Sequence, residues 1–240
     1  MQYVNVPDAL PENVYYATFF SRLYNHALGY CVYLPAAALQ KACPAHYHFH
    51  GWQGQECSDV FAMEPVYQNG ETIFVFPNVS YELEGQTNLP VERMVFEELI
   101  PEIERKYQAA GRRSISGFSM GGGMAVWFSL RHPGAFAEAI AYAGTFHHYY
   151  HPEYRTAFVP VERAEELYQG MMQAKWESER NLLALFNAAA KDTFQLTLRV
   201  GTQDPLYCDA EVLHRHLLSL DFPHTYACIE GAGHSLAEIV

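Results

Sequence analysis

The sequence predicts an α/β protein, with a mostly parallel, doubly wound sheet and flanking helices. Three observations lead there. Short apolar runs recur along the whole chain, most are apolar on both faces rather than alternating, and segments of helical periodicity separate them. A strand covered by helices on both sides has no solvent face, and so no reason to alternate.

The runs are 30–34 (YCVYL), 47–50 (YHFH), 73–76 (IFVF), 114–117 (SISG), 139–143 (AIAYA), 196–200 (LTLRV) and 225–229 (TYACI). Residues 91–109 place Val95, Leu99, Ile103 and Tyr107 on one helical stripe, in which Pro101 is expected to force a kink or a break. Another helix is expected directly after Ser119. Asp209 is expected to cap a helix over 210–220 whose inward stripe is Leu213, Leu217 and Leu220, with His214 and His216 on its solvated side. His132 reads as the end of a helix. Residues 145–191 have no obvious sheet role; they read as a small cap or substrate-pocket insertion with helical stretches at 161–176 and 178–190. No repeat or long linker divides the remainder, so one domain over 1–240 is expected.

Composition narrows the function classes. With 27 acidic against 15 basic residues, a net charge of -12 and no basic cluster, neither nucleic acid nor an anionic membrane is an expected partner. Five widely spaced cysteines without a CxxC pair suit reduced thiols better than a disulfide framework. The N-terminal residues lack a basic segment followed by an apolar one, and no apolar run approaches the ~20 residues of a membrane span. A cytoplasmic protein is the expectation, although a mature secreted form would read the same.

In an α/β sheet, sites lie at the carboxyl ends of strands, so chemistry is sought just after the apolar runs. Gly117-Phe118-Ser119-Met120-Gly121 follows one of them and opens a helical segment, the context that makes G-x-S-x-G informative. A serine there sits on a sharp turn that lifts its hydroxyl clear of the sheet. Its neighbours two residues away must be tiny. Downstream, Asp204 follows the 196–200 run and His234 follows the 225–229 run, giving the order Ser, Asp, His. His234 would then serve as the base and Asp204 as its orienting acid. Asp192 lies at the wrong end of its run, and Asp209 suits a helix cap better.

Stabilising an oxyanion needs two donors. The backbone N–H of Met120 is one candidate, and that of Trp52, in the loop after 47–50, is the other. His46, His48 and His50 alternate on one run and could by type hold a metal, as could His147, His148 and His151; no matching acidic or thiol set accompanies the first group, and no cofactor or metal is expected. In the insertion, Phe146, Tyr149, Tyr150 and Trp176 could line an acyl or aryl pocket, together with Tyr154 and Phe158. Tyr81 and Glu82 could edge it.

The segments YCVYLP, HFHGW, GFSMGGGMAVWFSLRHPGAFAEAIAYAGTF, GTQDPLY and GAGHS together resemble the Putative esterase group of α/β-hydrolases, above all its feruloyl and acetyl xylan esterase branch, over about 20–235. The resemblance implies an α/β-hydrolase fold and a triad of Ser119, Asp204 and His234, with Trp52 and Met120 supplying oxyanion amides. It also implies a serine esterase acting on small-molecule esters or acylated carbohydrate through an acyl-enzyme. An acyltransferase with the same triad, or a non-catalytic binding protein keeping the fold, are the alternatives; homo-oligomer formation is left open. Two departures stand out. Members continue past the histidine into a closing helix, whereas this chain stops at Val240, and members that act on plant cell walls carry secretion signals.

Overall fold

The computed structural model describes residues 9–68, 70–79, 89–146, 161–173 and 181–240. It has eight strands with helices between them, and its contacts divide into two compact units, Met1–Ser114 and Ile115–Val240. The α/β class and the predominance of parallel pairing agree with the sequence reading.

In the first unit the strands lie in the order β1 (Val14–Ser21), β2 (His26–Tyr33), β4 (Ile73–Pro77) and β3 (Ala45–Phe49). β1 pairs antiparallel with β2, β2 antiparallel with β4, and β4 parallel with β3. β3 and β4 are buried at every position, as expected for runs without alternation. β1 was not expected from the sequence. Only Val14, Phe19 and Ser21 of it are buried, so the strand lacks the apolar run that marks the others. Its hairpin turn ends at Asn25, whose positive φ of 56° an asparagine tolerates better than most residues. A short helix, α1 (Glu64–Tyr67), brings Tyr67 against Phe74 and Phe76, with ring centroids 5.7 and 5.9 Å away.

Pro101 does not break the helix predicted around it. The segment runs as α2 (Leu89–Arg93), a π-helical stretch at Met94–Leu99 and α3 (Ile100–Tyr107), so the proline falls in the first turn of α3. The wider turn before it accepts a residue that lacks an N–H and whose ring crowds the preceding turn. Glu98, within the wide turn, accepts hydrogen bonds from the Ser21 hydroxyl and from the N–H groups of Arg22 and Leu23. The irregularity thus carries the residue that secures the β1–β2 turn.

In the second unit the order is β5 (Ser114–Phe118), β6 (Glu138–Tyr142), β7 (Gln195–Gly201) and β8 (His224–Ile229), with β6–β7 and β7–β8 parallel. α4 (Met120–Arg131) is buried at every residue through Leu130, and His132 follows its end. The insertion contributes α5 (Ala164–Gln173) and α6 (Leu182–Ala188), the latter capped by Asn181, whose side-chain oxygen accepts from the N–H of Leu183.

α7 (Tyr207–Ser219) corrects two expectations. Asp209 lies inside the helix rather than at its cap; it is 1% exposed, and its Oδ2 accepts from the backbone N–H of Phe146. His216 is not solvated but 1% exposed, with Nε2–H donating to the carbonyl of Leu183. Leu213 and Leu217 face the core as predicted. A four-residue helix, α8 (Leu236–Ile239), follows β8. Among the described residues, no helix is long and apolar enough to cross a membrane.

Burial holds His46 at about 3, and it pushes His50 and His216 below their ordinary range as well. The unfolded chain therefore binds more protons than the folded one below about pH 6.5. Stability present above that pH should be lost as pH falls towards 3, by up to about 1.4 kcal/mol per pH unit for each such histidine. Urea denaturation at stepped pH should show this slope. His46→Phe, which keeps the flat ring that stacks on Phe74 at 4.4 Å, should reduce it by about one histidine's share.

Candidate active site

β5 ends at Phe118, and the chain turns at once into α4. Ser119 at this turn has φ 55° and ψ -116°, a conformation that non-glycine residues avoid and hold only when their surroundings impose it. Three backbone hydrogen bonds impose it here. The N–H of Ser119 donates to the Tyr142 carbonyl at 2.8 Å, and its own carbonyl accepts from the N–H groups of Gly123 at 3.2 Å and Thr145 at 3.1 Å.

The glycines follow from this tightness. A Cβ on Gly117 would collide with the backbone of Gly121, and one on Gly123 with the carbonyl of Thr145. At Gly122 a Cβ would stand 3.0 Å from both the Gly117 oxygen and the Gly144 Cα. Helix propensity disfavours this glycine run by about 1 kcal/mol per residue. Close packing of the first turn of α4 against the loop after β6 requires it.

Asp204 and His234 stand on adjacent loops after β7 and β8, and backbone bonds lace the two together. The N–H of Gln203 donates to Ala232 at 2.9 Å, and that of Thr202 to Ile229 at 3.0 Å. The Gly231 N–H reaches the Thr202 hydroxyl, and the Gly233 N–H reaches Glu238 on α8. The glycines around His234 thus lie in a bonded loop. Arg199 of β7 adds a hydrogen bond to the carbonyl of Ile239 at the end of α8.

The three side chains meet in one line. The Asp204 carboxylate accepts from His234 Nδ1–H at 2.8 and 3.0 Å, and its Oδ1 also accepts from the Leu206 N–H at 2.7 Å. On the other side of the ring, the Ser119 hydroxyl donates to Nε2 at 3.1 Å. Asp204 is 4% and Ser119 8% exposed, whereas the His234 side chain is 30% exposed. A buried carboxylate behind the ring fixes the tautomer that leaves Nε2 able to accept a proton.

One residue at this site went unremarked in the sequence. Phe118 packs its ring on His234, with centroids 4.7 Å apart and an interplanar angle of 32°. It occupies the first variable position of G-x-S-x-G, so the motif constrains its place but not its identity. An aromatic face against this imidazole limits its tilt.

Met120 opens α4, where the first N–H groups have no acceptor within the helix. Trp52 belongs to the first unit, in the turn after β3, and is 66% exposed. Its peptide is oriented by His50. The Nε2 of His50 accepts from the Val79 N–H at 3.0 Å, so Nδ1–H must donate, and it does so to the Gly51 carbonyl at 2.7 Å; that carbonyl also accepts from the Gly54 N–H. Pinning the Gly51 carbonyl on one side turns the N–H of the same peptide, that of Trp52, to the other.

His46 and His48 likewise have structural partners, at Ser114 Oγ (2.7 Å) and Asp59 (3.1 Å). Among the described residues, no group of three His, Cys, Asp or Glu side chains could hold a metal. Phe146 is 2% exposed, its backbone tied to Asp209 and its ring lying over Gly144. Tyr149, Tyr150 and Trp176 lie outside the described residues, as do Tyr81, Glu82, His147, His148, His151, Tyr154 and Phe158.

The chain is similar to known proteins over most of its length. A family model described as Putative esterase matches residues 21–217. Among solved structures, a ferulic acid esterase is 22% identical, with 94% of this chain and 92% of that one covered at a TM-score of 0.71. The S-formylglutathione hydrolase of Staphylococcus aureus is 17% identical over 93% of this chain and 92% of that one, TM-score 0.75. A fluorophosphonate-binding serine hydrolase of the same organism is 16% identical over 94% and 92%, TM-score 0.72. No curated protein matches the sequence. The chain belongs to the Putative esterase family and is a serine carboxylic ester hydrolase of the α/β-hydrolase fold.

Proposed function

We propose that Ser119 is the nucleophile, His234 the general base and Asp204 the orienting acid of an esterase that releases acyl groups from small-molecule or carbohydrate esters. The observation that carries this reading is the continuous line Asp204, His234, Ser119, in which each hydrogen bond sets up the next. In the first half-reaction His234 Nε2 takes the Ser119 proton as Oγ attacks the ester carbonyl, then gives it to the departing alcohol. In the second, the same nitrogen deprotonates water, which attacks the acyl-serine; the acid leaves as the bond to Ser119 Oγ breaks, and His234 returns the proton to that oxygen. Asp204 stabilises the imidazolium at each stage without itself becoming protonated. The N–H of Met120 stabilises the oxyanion from a helix N-terminus.

For the acyl group we favour feruloyl or acetyl esters of carbohydrate. The resemblance to a ferulic acid esterase supports this choice. The likeness to an S-formylglutathione hydrolase makes that thioester the informative competitor.

Kinetics on a panel of acetyl, butyryl and feruloyl esters and S-formylglutathione should rank feruloyl or acetyl esters first in kcat/KM. A clear preference for the thioester would sink the substrate assignment. With p-nitrophenyl acetate, Ser119→Ala should lower kcat by about 10⁴-fold or more, and Asp204→Asn by about 10³–10⁴-fold. Activity unchanged in Ser119→Ala would refute the nucleophile. Phe118→Leu should lower kcat about 2–5-fold with little change in KM, while Phe118→Tyr should keep the wild-type rate, because the aromatic face acts on His234 rather than on the ester.

A further inference from the structure

Both Cys31 and Cys57 belong to the first unit, one in the middle of β2 and the other in the loop that follows β3. Their sulfurs lie 2.8 Å apart, closer than an ordinary contact between two thiols. Both are reduced, and both are buried, Cys31 completely and Cys57 to 8% exposure. A disulfide has its sulfurs about 2.05 Å apart, so bond formation needs an approach of only about 0.8 Å. The esterase mechanism uses neither residue.

We propose that Cys31 and Cys57 are a modification site, at which a hydroperoxide joins them in a reversible intramolecular disulfide. Their surroundings assign an order to the steps. The two thiols share one hydrogen bond, which holds the Cys57 thiol below its ordinary value and pushes that of Cys31 up. Cys57 is therefore the better thiolate, and it is also the one with residual exposure. Cys228 is more exposed, but burial of its sulfur raises its pKa, and Cys208 is pushed up to about 12. Reactivity follows thiolate character more than accessibility alone, which favours Cys57.

The Cys57 thiolate attacks the distal peroxide oxygen; the O–O bond breaks, and the other oxygen leaves as an alcohol or water after taking a proton. This gives Cys57–SOH. The sulfur of Cys31 then attacks the sulfenic sulfur, the S–OH bond breaks, and the hydroxide leaves as water with the proton from Cys31. Two thiols are oxidised by two electrons and one hydroperoxide is reduced. A dithiol reductant reverses the result by exchange.

The product would staple the loop after β3 to β2. That loop is already taut. The Ser58 N–H donates to the Gln55 carbonyl, the Gln55 N–H donates to the Ser58 hydroxyl, and the Asn78 side chain donates to Glu56 at 2.6 Å. Neighbouring residues held this firmly keep the two sulfurs facing each other, so oxidation closes a 26-residue separation without unfolding either element.

The test uses the whole reduced chain. Treat it with one equivalent of hydrogen peroxide, alkylate under denaturing conditions with N-ethylmaleimide, digest without reduction and identify thiols by mass spectrometry. The expected result is a linked peptide joining Cys31 to Cys57, with Cys43 and Cys208 alkylated. The melting midpoint should rise by about 5 °C and return to its starting value with dithiothreitol. In Cys31→Ala, the linked peptide and the rise should both disappear. Should that variant fail to fold, the wild-type peptide map and the reversible shift decide alone. The proposal is overturned if both thiols remain alkylated in treated wild type, if Cys57 goes to sulfinic acid while Cys31 stays a thiol, or if the midpoint does not move. None of these readouts involves ester turnover, so failure here leaves the esterase mechanism standing, and the reverse also holds.

Discussion

The candidate active site rests on one strained residue. Ser119 holds a positive φ that costs of order 1–3 kcal/mol in an unconstrained chain, and it does so because its N–H and its carbonyl are both engaged by neighbouring backbone. Those bonds reach Tyr142, Gly123 and Thr145, which join the elbow to the end of β6 and the first turn of α4. Bringing that much backbone together leaves no room for side chains at Gly117, Gly122 and Gly123. The glycine run is thus the steric condition for the turn, despite its cost to the helix.

Environment, more than residue type, sorts the histidines. His46, His50 and His216 are buried deeply enough that desolvation favours the neutral ring, and each has a fixed partner. Such a ring can orient a peptide, as His50 does for Gly51, but it is poorly placed to gain a proton. His234 has a partly exposed ring between a buried carboxylate and a hydroxyl. The same side chain is a bracket in one setting and, in the function we propose, a proton carrier in the other.

Asp204 and Asp209 divide in the same way. Asp204 sits at the start of α7, where its side chain accepts from the Leu206 N–H while facing His234. Asp209, one turn further on, is turned inward to the backbone of Phe146 and so secures the loop that enters the insertion. From sequence alone Asp209 was the better cap. The helix begins two residues before Asp209, which decides the matter.

Much of the site was legible in the order of residues. Ser119, Asp204 and His234 could be read because each closely follows an apolar run, and because a lone serine flanked by glycines suits the sharp turn of a nucleophile better than it suits a helix or a strand. The α/β class was legible because buried parallel strands must be apolar on both faces. What could not be read depends on distant contacts. β1 escaped because a strand exposed on one side needs few apolar residues. Pro101 passed without a break because a π-helical turn precedes it. The inward turn of His216, the packing of Phe118 on His234, and the meeting of Cys31 with Cys57 involve partners far apart in the chain. Local pattern records the chemistry of each residue and the period of its segment; which side chains share a space is decided only when the elements pack.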